Sequence, residues 1–295
     1  MNGLILSLCI IWGFNFVIMK LGNGVFPPVL FAGLRFLVGS IVLFGVAFLK
    51  KVVIPNKRDL KWYLICGILQ TTYFNLAIQI SLNYISAGLT AVLTYSMPLF
   101  LSVFAHYFIP GERLTTRKMI GILSGTLGLF LAMNIHFGGG VWAAILALTS
   151  GLSWAISNVI IKRKLQNCNQ IQFTTWQMAI GTVGLFLYSF CFEHGQSHWG
   201  LLPIVYILFA GIFPSALAFL LWSYILSKAE ASKASMSLLL VPVVGALSGY
   251  LFLGQVLSPV TIIGILFVLL GIWFVNSSSA SKMAKGNIIG SVKDL

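Results

Sequence analysis

Several polar side chains lie inside apolar, helix-length runs, and these are the residues whose types could do chemistry. Arg35 stands in Phe-Ala-Gly-Leu-Arg-Phe-Leu, about a turn and a half into such a run. A guanidinium at membrane depth faces a cavity or a partner, and its planar fork suits a carboxylate or phosphate. The alternative is an arginine that snorkels to the headgroups or caps backbone carbonyls. Lys20 ends the preceding run and reads equally well as an interfacial anchor. Asn15, Ser157 and Asn158 sit near the middle of their runs. An amide there either offers a donor and an acceptor to a zwitterionic solute or clamps two helices through a bond of about 1 kcal/mol. Tyr73, Asn75, Gln79, Tyr95, Ser96 and Gln177 are further cavity candidates. Trp12, Trp154, Trp176 and Trp222 lie away from the interfacial belt where Trp is common. An indole N–H near the midplane needs a partner, so these rings either wall a cavity or fill the bundle.

The elements that must position these residues follow from composition. The chain is 59% hydrophobic and only 8% charged, against about 25% charged in a globular domain, so lipid is its solvent. Its net charge of +13 sits in no basic stripe interleaved with aromatics, which excludes a nucleic-acid partner and leaves the bilayer. The four cysteines, Cys9, Cys66, Cys168 and Cys191, have neither metal-like spacing nor a paired framework, and read as packing residues. The first apolar run lacks a basic leader and a small-residue cleavage site, so it is expected to be a mature helix.

A span needs roughly 20 apolar residues. On that ruler there are ten, at about 3–21, 29–49, 61–81, 87–108, 118–136, 141–161, 171–192, 201–226, 234–253 and 258–276, with short connections. The expected fold is therefore an all-α polytopic membrane protein, with residues 277–295 a polar, disordered tail. With the N-terminus in the cytoplasm, the inner loops and tail hold 16 of the 18 Lys and Arg residues. The outer loops around 22–28, 82–86, 136–140, 193–200 and 254–258 hold none. The positive-inside rule then puts both termini in the cytoplasm.

The chain also repeats. Trp12 and Lys20 return as Trp154 and Lys162, and Gly39 as Gly181, each 142 residues on. That offset pairs Arg35 with Gln177. Gly67 matches Gly211 and Pro98 matches Pro242 at 144; Gly121 and Gly128 match Gly264 and Gly271 at 143. Five spans per half is an odd number, so the second half enters the membrane inverted. Inverted repeats suit alternating access, in which two bundles rock about a site at the midplane. The two repeats are expected over 1–136 and 141–276. Asn15 and Asn158 are 143 apart, one position out of register with their Trp and Lys neighbours, so the site is not expected to be symmetric.

With ten spans, Trp-Gly-x-Asn-Phe and Lys20 in the first, Pro28 and Arg35-Phe36 in the second, Pro98 in the fourth, Gly111-Glu112 after it and a glycine-rich fifth, the chain resembles the EamA-type transporters of the drug/metabolite transporter superfamily. The resemblance covers about residues 1–276. It implies export of amino acids, related metabolites or drugs through a central cavity between two five-helix halves. The second half departs from the first in carrying Gly254-Gln255 where the first has Gly111-Glu112, so a symmetric pair of acids lacks its second member.

Pro98 and Pro242 are expected mid-span as gating kinks, because an interior proline removes a backbone bond; Pro214 is a further kink whose counterpart is Gln70. The glycines at 121, 125, 128, 264 and 271 read as close helix packing, within the bundle or across a homodimer. None of the five acids, Asp59, Glu112, Glu193, Glu230 and Asp294, lies mid-span. Coupled carriers commonly place a carboxylate there, so flux driven by the solute gradient, or exchange, fits better than obligatory proton coupling. Two exceptions remain open: His106, near the inner end of the fourth span, is of a type that titrates near neutral pH, and Glu112 could be drawn into the inner vestibule. The rival reading is a membrane-embedded enzyme acting on lipid-linked substrates. It lacks a Ser/His/Asp set, a His cluster or paired carboxylates at one depth. His136, His194 and His198 are irregularly spaced, and neither a metal nor a cofactor is expected.

Overall fold

A computed structural model describes residues 2–81, 84, 90, 93–132, 140–254 and 259–277. Among these residues the fold is all-helical, with no strand. The helices are α1 (Asn2–Asn23), α2 (Pro28–Leu49), α3 (Lys57–Cys66), α4 (Phe74–Ser81), α5 (Met97–Phe108), α6 (Thr116–Ala132) and α7 (Val141–Lys164). They continue as α8 (Gln170–Phe192), α9 (Leu201–Ala210), α10 (Ala218–Lys228), α11 (Ala231–Ser237), α12 (Leu240–Leu253) and α13 (Pro259–Ser277). π-helical turns at Gly67–Tyr73 and Gly211–Leu217 join α3 to α4 and α9 to α10 without a break.

Seven helical stretches are long and apolar enough to cross a bilayer: Gly3–Asn23, Pro28–Leu49, Lys57–Ser81, Val141–Lys164, Gln170–Phe192, Leu201–Lys228 and Ala231–Phe252. Met97–Phe108 and Ile262–Phe274 are shorter apolar helices. The expected runs 87–108 and 118–136 extend into residues outside those described, as do Gln255, His136 and the tail from 278.

Helix faces sort by size and polarity rather than by hydrophobicity. In α2 the buried stripe is Ala32, Gly33, Arg35, Phe36, Gly39, Ser40, Leu43 and Ala47, while Leu37, Ile41 and Phe48 point away from the protein. Lipid is as apolar as leucine, so the interior gains little by being greasier and more by letting backbones approach. The two π turns show this. A Cβ on Gly67 would lie 2.7 Å from the Gln177 carbonyl oxygen, and one on Gly211 would lie 2.8 Å from that of Arg35. In the second turn Pro214 also removes a backbone donor, which favours the wider winding.

Packing between the halves is reciprocal. α1 lies along α12 as α5 lies along α7; the first π turn packs on α8 as the second packs on α2. α2 pairs with α8, and α6 with α13. Ser40 and Thr182, 142 residues apart, meet hydroxyl to hydroxyl at 3.4 Å between α2 and α8.

The prolines expected inside helices do something else. A two-residue turn at Tyr95–Ser96 precedes α5, and another at Leu238–Leu239 precedes α12. Pro98 and Pro242 therefore fall in the first turn of a new helix, where an N–H has no helical acceptor to lose. Each chain direction is broken just before its proline rather than kinked at it.

The bundle has two distinct ends. At one, His198 donates its backbone N–H to Val25 (2.8 Å) and the Asn23 amide donates to Gln79 (3.2 Å); its described loops, 24–27 and 193–200, carry no Lys or Arg. At the other, the Gln172 amide donates to the Val52 and Ile54 carbonyls, and the Trp176 indole to that of Val53. Here lie Lys50, Lys51, Arg113, Arg163 and Lys164. These ends are called the neutral and the basic face.

Candidate functional site

Between the halves, opening toward the neutral face, lies a cavity of about 380 Å³, within the size range of small-molecule sites. α1 supplies Trp12, Asn15, Phe16, Lys20 and Asn23; α2 supplies Arg35, and α4 supplies Phe74, Asn75 and Ile78. Thr90, Thr94 and Tyr95 line it ahead of α5, and Trp154, Phe219, Gly245 and Gly249 come from the second half. Among the described residues no acid is in the lining.

Arg35 is the cation at its base, 4% exposed, so it does not snorkel. Its Nη2 donates to the Asn75 side-chain oxygen (2.8 Å) and its Nη1 to the Ser215 hydroxyl (3.2 Å). The guanidinium also lies over the Phe36 ring, 4.3 Å from the centroid. Its Nε has no protein acceptor, and no carboxylate pairs with it among the described residues. Both bonded partners are neutral. A buried cation held this way keeps its need for an anion.

Aromatic rings form the floor. Trp12 meets Trp154 edge-on at 5.5 Å and Phe219 at 5.7 Å; Phe74 meets Trp154 at 4.7 Å. Trp222 closes the cluster from below, 6.0 Å from Trp154. The two repeated tryptophans are used differently. The Trp12 indole donates to the Pro214 carbonyl at 2.9 Å, tying α1 to the second π turn. The Trp154 indole N–H has no acceptor. The side-chain oxygen of Asn15 is likewise without a donor. The cavity thus presents two free donors, Arg35 Nε and Trp154 Nε1, and two free acceptors, the side-chain oxygens of Asn15 and Asn23, which matches a solute carrying an anionic end and an N–H.

Of the ten residues singled out in the sequence for binding, Trp12, Asn15, Arg35, Tyr95 and Trp154 are brought together here. The other five turn into helix contacts. Tyr73 pairs with the Thr149 hydroxyl at 2.8 Å. Gln79 sits behind the wall and holds Asn23. Ser157 donates to Gln70 (3.1 Å) and Gln177 accepts from Thr71 (2.9 Å). Asn158 accepts from the Trp222 indole at 3.1 Å and donates to the Met97 sulfur. Asn15 and Asn158 therefore have opposite fates, as their difference in register implied. Sequence reasoning missed Phe16, Phe74, Thr90, Thr94, Phe219, Gly245 and Gly249 as lining, and Lys20 proves exposed at the mouth.

The cysteines are all free, and among the described residues no group of His, Cys, Asp and Glu could hold a metal. At the basic face burial pushes the Cys168 thiol up to about 11.

Comparison with known proteins agrees with this architecture. The profile of the EamA-like transporter family matches residues 1–134 and again 141–277. The chain belongs to that family. It is a multi-pass membrane protein of the EamA type. It is 32% identical to the uncharacterized transporter YoaV of Bacillus subtilis, over 94% of this chain and 97% of that one. It is 25% identical to a probable amino-acid metabolite efflux pump of Salmonella typhimurium, over 92% of each. A solved crystal structure, 18% identical, shares the fold with a TM-score of 0.79 over 92% of this chain and 94% of its own.

Proposed function

We propose that this EamA-type transporter exports small metabolites, amino acids or related carboxylate-bearing solutes, across the plasma membrane by alternating access through the central cavity. The architecture in this reading is ten spans in two inverted five-helix repeats, with both termini at the basic, cytoplasmic face. The separate family matches to the two halves, the reciprocal packing and the two π turns 144 residues apart support it. So does the efflux-pump name of the Salmonella relative. The described conformation is then the outward-open one.

The observation that carries the solute class is Arg35: a buried guanidinium that, among the described residues, has no carboxylate partner and sits at the base of a cavity lined by no acid. A solute carboxylate supplies the missing charge there and a charge-assisted bond. Trp154 Nε1 is placed to donate to the same end and Asn15 to accept from an N–H. The aromatic floor covers the solute's apolar part. The test is a thermal-shift screen of amino acids, nucleosides and cationic drugs on purified protein, since a ligand stabilises the state it binds. Carboxylate-bearing ligands are expected to raise Tm; a shift confined to cationic drugs contradicts the reading.

A further inference from the structure

The basic end of the cleft is closed by charge. Glu112 is 7% exposed. Its carboxylate accepts from the backbone N–H groups of Ala231 (2.6 Å) and Ser232 (3.1 Å) and from the Ser232 hydroxyl (3.1 Å). Beside it, Lys118 pairs with Glu230 and donates to the Ser232 hydroxyl (2.9 Å) and the Arg113 carbonyl (3.0 Å). Lys233 reaches the other Glu230 oxygen at 2.7 Å. Residues 112–118 lie between α5 and the start of α6 in the first half; residues 230–233 open α11 in the second. The first turn of α11 is thus capped across the cleft, by a carboxylate from the other half.

We propose that Glu112, backed by the Lys118–Glu230 pair, is a latch that holds the cleft shut at the basic face. Opening to that face then requires its carboxylate to leave the Ala231 and Ser232 N–H groups. This rests on the alternating-access reading. Three features separate a latch from an ordinary cap. A buried ionic cluster contributes little net stability over well-packed apolar residues, and its best-attested use is as a register or switch device. The cluster spans the two halves at the end opposite the open cavity. The corresponding position in the second half is the neutral Gln255, so the other face lacks this carboxylate. Glu193 provides the contrast. It also caps a helix from elsewhere in the chain, accepting from Val29 and Leu30 N–H at 2.8 Å. It too crosses between the halves, joining α8 to α2, but at the neutral face, where the cavity is open, so this cap does not close the cleft.

Ala234 reports on the latch. It is 2% exposed, and 144 residues earlier Thr90 lines the open cavity. Ile78 reports on the neutral face. The experiment uses the full chain in oriented vesicles, with Cys9→Ala, Cys66→Ala, Cys168→Ala and Cys191→Ala as background. Ala234→Cys and Ile78→Cys are labelled separately with a membrane-impermeant thiol reagent, each applied from its own face. Adding Glu112→Ala is expected to speed labelling at Ala234→Cys from the basic face by about tenfold, the ratio set by one lost cap, and to slow labelling at Ile78→Cys. Glu112→Gln, which keeps the shape and one acceptor, gives the same direction with a smaller change if the alanine variant folds poorly. Glu193→Ala lowers the unfolding temperature without moving either rate. If Glu112→Ala and Glu112→Gln lower the unfolding temperature and leave both labelling rates unchanged, Glu112 is a static cap and the latch is overturned while alternating access stands. If Ala234→Cys never labels from the basic face in any background and the vesicles carry no solute flux, the alternating-access reading falls and the latch with it.

Discussion

The two ends of the central cleft are built from corresponding stretches of sequence and filled in opposite ways. At the neutral end Ile78, Thr90, Thr94 and Tyr95 leave a cavity; 144 residues later the same places hold Trp222, Ala234, Leu238 and Leu239, which are buried. Trp222 fills the volume that Ile78 leaves empty, and two leucines pack where a threonine and a tyrosine line a polar wall. The polar atoms divide likewise. Asn158 and Ser157 have protein partners, whereas Asn15 Oδ1, Trp154 Nε1 and Arg35 Nε do not. Unmet hydrogen-bonding capacity at this depth is costly; the cavity wall holds it at Asn15, Asn23, Arg35 and Trp154, while Gln177 Nε2 and Ser102 Oγ carry it elsewhere in the bundle. An unsatisfied polar atom on the cavity wall therefore reads as a place for a solute.

Making the open end resemble the closed one breaks the comparison most severely. Ile78→Trp places bulk in the cavity without removing a hydrogen bond, and is expected to weaken ligand binding roughly a hundredfold, measured by calorimetric titration. Asn158→Leu strips the partner from the Trp222 indole, so it should cost about 2 kcal/mol of stability in denaturant unfolding. Asn15→Leu should leave stability nearly unchanged and weaken binding instead. The tryptophans sharpen the same point. Trp154→Phe deletes a free donor and is expected to cost about fivefold in affinity, while Trp12→Phe, which cuts the bond to Pro214, appears mainly as a lower Tm. Lys20→Gln, at the exposed mouth, has the smallest effect. It should slow association about twofold at low salt and by less at high salt.

Much of this fold was legible because lipid demands long apolar runs and puts basic residues on one side. Glycine and proline recur in the sequence at backbone positions where neighbours come close, as Gly67 and Gly211 show. Facing was not legible. Both sides of a membrane helix are apolar, so Gln177 and Asn158 have the depth of Arg35 and Asn15 yet point into neighbouring helices. Phe16, Phe74 and Phe219 carry no signal among 23 phenylalanines. Pro214 marked its π turn, while its Gly67 counterpart winds the same way with no proline to announce it.

The central claim is that Arg35 reads a solute carboxylate in this cavity. Counterflow in liposomes tests it directly, comparing a labelled amino acid with its carboxamide analogue on wild type and on Arg35→Gln. The variant is expected to lose about a hundredfold for the acid and to keep its rate for the amide. An equal loss for both would show that Arg35 holds the helices and does not recognise the solute.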